Sequence, residues 1–405
     1  MMNLQTIGVV YRKELTEWLR DRRTLISTVV VPLLLFPVLI LGFTYLAADL
    51  LGKAKDEIPS IMLIGGEDSP QVVAALQKVD SLKIVPYAAD WKNQISEKTI
   101  RAAVEIPPGF QASLEANEEK TVTIYFYEGE IKSSFGAEHL EKSLKNYRDQ
   151  IVKDRLAARS IATSVLTPFD IKQTNVAPPE KVSGATLGGF IGYLVILLCM
   201  TGAMYPAIDL TAGEKERGTM ETILSSPVSR LNLVLGKFLL VLSAALATAA
   251  LSVLSMGISF NAMKHFNSSV NSGRGEAASL ILQLGPKPVL LIFVMALPLA
   301  VFFAAALMTI ALFAKTYKEA QSYLTPMTFV VVIPAVASLL PGVELTPKLA
   351  LVPILSTSLV CKEIIAGTYH WNSIALIFAS TCVYAAIALF LAVKMFQRED
   401  VLFRS

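Results

Sequence analysis

Four charged residues in a row, Glu214-Lys215-Glu216-Arg217, stand between two long apolar runs, and their surroundings suit docking rather than bond-making. Each charge costs roughly 2.5–3.5 kcal/mol at the centre of a membrane helix, so the run belongs at a surface. Gly218 interrupts it, Thr219 is a helix-capping type, and Glu221 falls in the next first turn, where a carboxylate suits the helix dipole. Ser226-Pro227 repeats the start signal, an N-cap followed by proline at the first helical position. Over 209–237 this spells a short surface helix, a corner, and a helix that enters the apolar phase.

Groups that would make or break bonds lack their partners. Gly236-Lys237 has Leu231 where a P-loop needs its first glycine, and Phe238 follows in place of Ser or Thr. Gly65-Gly66 is followed by Glu67-Asp68, which repel phosphate. His139, His265 and His370 are far apart, and Cys199, Cys361 and Cys382 sit in or near apolar runs without paired spacing, so they read as packing residues. No metal site is assigned, no cofactor is bound by the chain itself, and it is not an enzyme on its own.

The elements that hold the charged run emerge from composition. The chain has 405 residues, 53% hydrophobic and 17% charged, with a mean hydropathy of +0.54, the balance of a membrane protein rather than a soluble one. A net charge of +3 without a basic stripe excludes nucleic acid as a partner. Residues 1–24 form a cytosolic amphipathic helix with Leu4, Ile7, Tyr11, Leu15 and Trp18 on one side; Glu14 falls inside that apolar stripe. Either this is a surface helix with one stray carboxylate, or Glu14 and the Arg20-Asp21-Arg22 cluster face a protein partner.

The fold class is a polytopic α-helical membrane protein with six transmembrane helices, at 25–48, 184–208, 227–260, 288–313, 322–340 and 371–395. Pro32 and Pro37 bend the first. Too long for a signal h-region, 25–48 is a retained span. Residues 49–183, where short β-like runs alternate with helical ones, form an α/β extracytoplasmic domain inserted between the first and second spans. The remainder comprises the cytosolic coupling segment 209–226, a polar outer loop at 261–287, a tight turn at 314–321, outer or re-entrant helices at 341–370 and a cytosolic tail at 396–405. Arg12, Lys13, Arg20, Arg22 and Arg23 before the first span put the N-terminus in the cytosol by the positive-inside rule, and the even number of spans brings the C-terminus to the same side.

The string Glu214-x-Glu216-x-Gly218-Thr219-x-Glu221, continuing through Pro227 to Gly236-Lys237, resembles the signature of ABC-2 type transporter permeases. Lys13-Glu14-Leu15 with Leu19-Arg20-Asp21-Arg22 resembles their amphipathic N-terminal helix, and Ala103 to Phe110 a strand–turn–helix of sodium-exporter-like members. The tracts 318–326 and 353–367 resemble the sodium-exporter (NatB) subgroup, so the matches run from residue 11 to residue 367. The tract from Ser356 to Val360 departs from the subgroup, whose members often carry Asn after Leu.

The resemblance implies the permease subunit of an ATP-driven exporter in a cell membrane, the bacterial cytoplasmic membrane being the expected one. It implies a separate ABC ATPase that binds ATP and Mg and meets Glu14, Trp18, Arg20, Asp21, Glu214, Glu216, Gly218, Thr219 and Glu221. A homodimer or a paired permease, in contact with membrane lipid, forms the path. Asp49, Lys362 and Glu363, charges at the ends of apolar segments, are the candidate path residues. Sodium extrusion is the most specific cargo; export of a lipid-like, drug or antimicrobial compound, and sensing of an extracellular ligand without transport, are the alternatives. The hydroxyls Thr201, Ser252, Ser255 and Thr309 are available as neutral ion ligands, although such groups commonly bond to their own helix backbone.

Overall fold

The computed structural model describes residues 3–116, 118–162, 179–220, 228–270, 285–340 and 345–398, with a few isolated positions besides. The chain divides into two compact units, Met1–Phe43 with Val176–Ser405, and Thr44–Asn175. In the first, α1 (Leu4–Trp18) starts at Asn3, whose side chain accepts from the Gln5 N–H. It ends earlier than the amphipathic pattern suggests, because a turn at Leu19-Arg20 precedes α2 (Arg22–Leu25).

Two prolines shape the next helix. α3 (Val31–Pro37) is bracketed by π-helical turns at Ile26–Val30 and Val38–Gly42. A proline leaves the carbonyl four residues earlier without its helical N–H, and here those carbonyls belong to Thr28 and Leu33. Thr248 Oγ1 donates to the Thr28 carbonyl at 3.1 Å, and Ser255 Oγ to the Leu33 carbonyl at 2.6 Å. A bilayer core offers no water for this purpose, so a neighbouring hydroxyl must serve. The hydroxyl of Ser255 is thus already engaged, and Thr201, Ser252 and Thr309 donate to their own helices, to the carbonyls of Leu198, Thr248 and Ala305.

The Thr44–Asn175 unit contains most of α4 (Phe43–Asp56) and a sheet of β1 (Ser60–Gly65), β2 (Lys83–Val85), β3 (Ala102–Ile106) and β4 (Thr123–Phe126) in the order β2-β1-β3-β4. β1 runs parallel to β2 and β3, and β4 is antiparallel. The crossovers are α5 (Pro70–Gln77) and α6 (Trp91–Ser96); α7 (Phe110–Ala116) precedes β4 and α8 (Ile131–Ala158) follows it. Alternation along the strands sends Ile61, Ala102 and Val104 to one face, with Val72, Leu76 and Leu140, and Met62 and Ala103 to the other, with Ile95 and Ile100. Both faces are covered, as parallel pairing demands. The carboxylate of Glu57 pairs with Lys132 and, at 2.7 Å, with Arg101, which also holds Glu130 at 3.0 Å.

The rest of the first unit is helical. α9 (Pro179–Ile208) continues through a π turn at Asp209–Gly213 into α10 (Glu214–Glu216). Next come α11 (Arg230–Val270), α12 (Pro286–Ala311), α13 (Tyr317–Ala337), a 3-10 turn at Leu349–Leu351, α14 (Leu355–Ile365) and α15 (Trp371–Phe396). Five stretches are long and apolar enough to cross a membrane: Gly188–Glu216, Arg230–Ala262, Pro286–Ala311, Tyr317–Ala337 and Trp371–Phe396. The apolar helix Ile26–Gly42, within the expected first span at 25–48, is shorter than that among the described residues.

Three expectations need correction. The polar loop expected from residue 261 is helical to Val270, as 261–270 holds no Gly or Pro to break the helix. The turn expected over 314–321 is shorter: Thr316 accepts from the Glu319 N–H, and α13 starts at Tyr317. Asp209–Gly213, expected within the short surface helix of the coupling segment, continues the long helix before it and is largely buried.

Candidate functional site

Three side chains from distant parts of the chain meet under the charged run. Lys237 on α11 is fully buried and forms an ion pair with Glu214, at the start of α10, and a longer one, 3.6 Å, with Glu14 of α1. Glu14 and Glu214 are themselves only 2% and 4% exposed. The helices can approach this closely because α11 presents Gly236 to α1; a Cβ there would stand 2.5 Å from a Val10 methyl. Lys13 brings a second cation to Glu14, at 3.2 Å from Oε1. Two ammonium groups thus balance two carboxylates. Partial burial lowers the Lys13 pKa, but the charges of Glu14 and Glu17 outweigh this and hold it above the usual lysine value.

Glu14 and Glu214, expected as docking residues, are therefore buried within this chain and engaged by Lys237, so they present no carboxylate to solvent. A buried lysine draws carboxylates inward because a charge left unpaired in the interior costs several kcal/mol. Lys237 is the residue that sequence reasoning missed. Its signal was a lone cation within an apolar run, matched by the misplaced Glu14 on the apolar side of α1.

The exposed groups lie around this buried set. Arg217 pairs with Asp209 at 2.9 Å, and the nearby charge of Glu17 acts on the same guanidinium, which places the end of α1 beside α10. Glu216 is exposed, and its carboxylate accepts from the Tyr317 N–H at 2.6 Å, while Lys215 Nζ donates to the Leu312 carbonyl. An anion thus sits at the N-terminus of α13 and a cation at the C-terminus of α12, each matching the local helix dipole. Gly218 takes a positive φ of 71°, and exposed Thr219 donates to the Glu214 carbonyl. It therefore closes the preceding turn rather than capping the next helix. Arg20 and Asp21 are exposed beyond α1, and half-buried Trp18 packs against the bundle core. Glu221, with Ser226 and Pro227, lies outside the described residues.

The candidate path residues are not one cluster. Asp49 lies on α4 in the other unit and pairs with Lys53 at 2.7 Å, one turn on. Lys362 and Glu363 are on α14, and Glu363 faces His370 Nδ1 at 3.2 Å. α14 is enclosed: Ser356 to Cys361 are buried, and a Cβ at Gly188 or Gly192 of α9 would stand 3.0 Å from Lys362 Cα or the Ser358 carbonyl. Small residues thus let the two helices touch. The hydroxyls of Ser356 and Thr357 are buried and have no hydrogen-bond partner among the described residues, whereas Ser358 Oγ meets Ser338 Oγ at 2.7 Å. No group of three or more His, Cys, Asp or Glu fit to hold a metal occurs among the described residues.

The family model described as ABC-2 family transporter protein matches residues 22–394. The ABC transporter permease protein NatB of Bacillus subtilis (strain 168) is 25% identical over 392 residues, which covers 96% of this chain and 97% of that protein. A bundle of long apolar helices, a charged rim and a match over nearly the whole length agree, and the chain belongs to the ABC-2 family as the membrane component of an ABC transporter.

Proposed function

We propose that this chain is the six-span permease subunit of an ATP-driven exporter, with 25–48 as its first span, and that a separate ABC ATPase docks on the rim formed by Arg20, Asp21, Glu216, Gly218 and Thr219. One observation carries the docking: the buried Glu14–Lys237–Glu214 set ties α1 and α10 to α11. A push on either surface element is then carried into a membrane helix as a rigid-body movement. In this reading the rim and both termini are cytosolic, the Thr44–Asn175 unit is extracytoplasmic, and ATP and Mg bind to the partner. Two permease copies, or this chain with a paired permease, enclose the path.

Sodium is the cargo we favour, on the resemblance of 318–326 and 353–367 to sodium exporters. The unpartnered Ser356 and Thr357 hydroxyls beside Lys362 and Glu363 support a polar path along α14. The test is reconstitution with a partner ABC ATPase. Arg20→Glu with Glu216→Lys is expected to weaken ATPase association by roughly tenfold or more, about 1.4 kcal/mol, with membrane insertion intact. Unchanged association and stimulated hydrolysis would overturn the docking reading. Hydrolysis and efflux independent of sodium would remove sodium as cargo; transport of a hydrophobic dye would point to an amphiphile, and hydrolysis without solute movement to sensing.

A further inference from the structure

Between α5 and α8, wholly within the Thr44–Asn175 unit, lies a cavity of about 450 Å3 that transport and ATPase docking leave unused. That is within the usual range of small-molecule sites, ~300–1,000 Å3. Its walls differ in character. α5 and the residues after it supply Leu76 and Val79, and α8 supplies His139, Lys142 and Asn146 together with Tyr147. The spacing of His139, Lys142 and Asn146 sets them on one face of α8, so three polar groups converge on one side of an apolar floor.

The charge of the cavity is one-sided. None of its lining residues is acidic. Lys142 is exposed and makes no ion pair among the described residues, while its acidic neighbour Glu141 is taken up by Lys145 at 2.5 Å. His139 Nδ1 is shut off from solvent and has no hydrogen-bond partner among the described residues. That nitrogen is therefore out of reach of anything held in the cavity, and the imidazole serves there as wall, which leaves Lys142 as the cation that meets an anion. Partial burial raises the Tyr147 pKa, which keeps its phenol neutral.

We infer that this cavity is a binding site for a small organic carboxylate: its apolar body lies against Leu76, Val79 and Tyr147, and its carboxylate meets the Lys142 ammonium. Asn146 supplies a further donor at the rim. The ammonium–carboxylate contact is charge-assisted and sets the preference for an acid over a neutral analogue. The site does not depend on ATPase docking, so either reading can fail without the other.

The test uses the full chain in lipid nanodiscs with 4-fluorobenzoate as probe, read by fluorine NMR line broadening against empty nanodiscs. Saturable broadening is expected, reversed by benzoate and not by benzyl alcohol. Lys142→Gln, at an exposed position that the fold does not need, is expected to weaken binding by roughly tenfold. Asn146→Trp is expected to fill the cavity and abolish binding, and Lys145→Gln, on the neighbouring face, to leave it unchanged. Broadening no greater than in empty nanodiscs, displacement by benzyl alcohol as effective as by benzoate, or equal binding by Lys142→Gln would each overturn the assignment.

Discussion

Lys237 is a long cationic side chain with no exposed surface, and its worth depends on what surrounds it. Removing one partner of a buried ion pair typically costs about 3–5 kcal/mol, because the charge left behind has no counter-charge, whereas replacing the whole set by apolar side chains is often neutral. Lys237→Met is therefore expected to lower the apparent melting temperature of the purified protein markedly. Glu14→Gln, Glu214→Gln and Lys237→Met together are expected to melt higher than Lys237→Met alone. Scanning fluorimetry in one detergent checks both, and a triple variant no more stable than the single one would count against charge burial as the cause. The sequence marks Glu14 as out of place and the run 214–217 as unusual, but it does not pair them. Their shared partner is 23 residues from one and 223 from the other, and local periodicity carries no information on such contacts.

At the level of elements, the prolines of α3 and the hydroxyls of α11 form a matched set. Thr248→Val and Ser255→Ala each leave a carbonyl in the apolar phase unmet, at about 1–3 kcal/mol apiece. Faster hydrogen exchange over residues 31–42 in either variant, and faster still in the double variant, is the expected result by mass spectrometry. That the prolines distort the first span is legible from their positions. That Ser255 reaches across to another helix, while Ser252 bonds to its own, depends on which face of α11 meets α3, and an apolar helix with little amphipathic contrast conceals that face. The same limit explains the misread ends: polarity separates bilayer from water, not helix from loop, so 261–270 and 317–321 looked like connections and are helical.

Across the whole molecule, the two units are built on different physics, and acid should separate them. Glu57 is held below the usual carboxylate range, chiefly by its hydrogen bond to Lys132 and, against the opposing effect of burial, also by Arg101. A depressed pKa contributes stability above the unfolded value that is lost as pH falls through the folded one, so the loss falls below about pH 4.5. Exchange of the β1 and β3 amides is thus expected to quicken over that window in the full chain. Glu57→Gln is expected to flatten the response, with the helical bundle little affected; an unaltered pH profile in that variant would exclude Glu57 as the source. The α/β alternation of this unit was readable because each short run has its own period, and a count of apolar residues likewise found the long spans. The proline-bound carbonyls bear, finally, on how the chain is made. Thr28 and Leu33 leave the ribosome with their carbonyls unmet, and the hydroxyls that satisfy them are 220 and 222 residues further on. At synthesis rates of roughly 5–20 residues per second the delay is about 10–40 s. In the six-span reading proposed above, the first helix is a poor guest for lipid throughout that interval, and shelter by an insertase or the translocon until α11 arrives is the expected consequence.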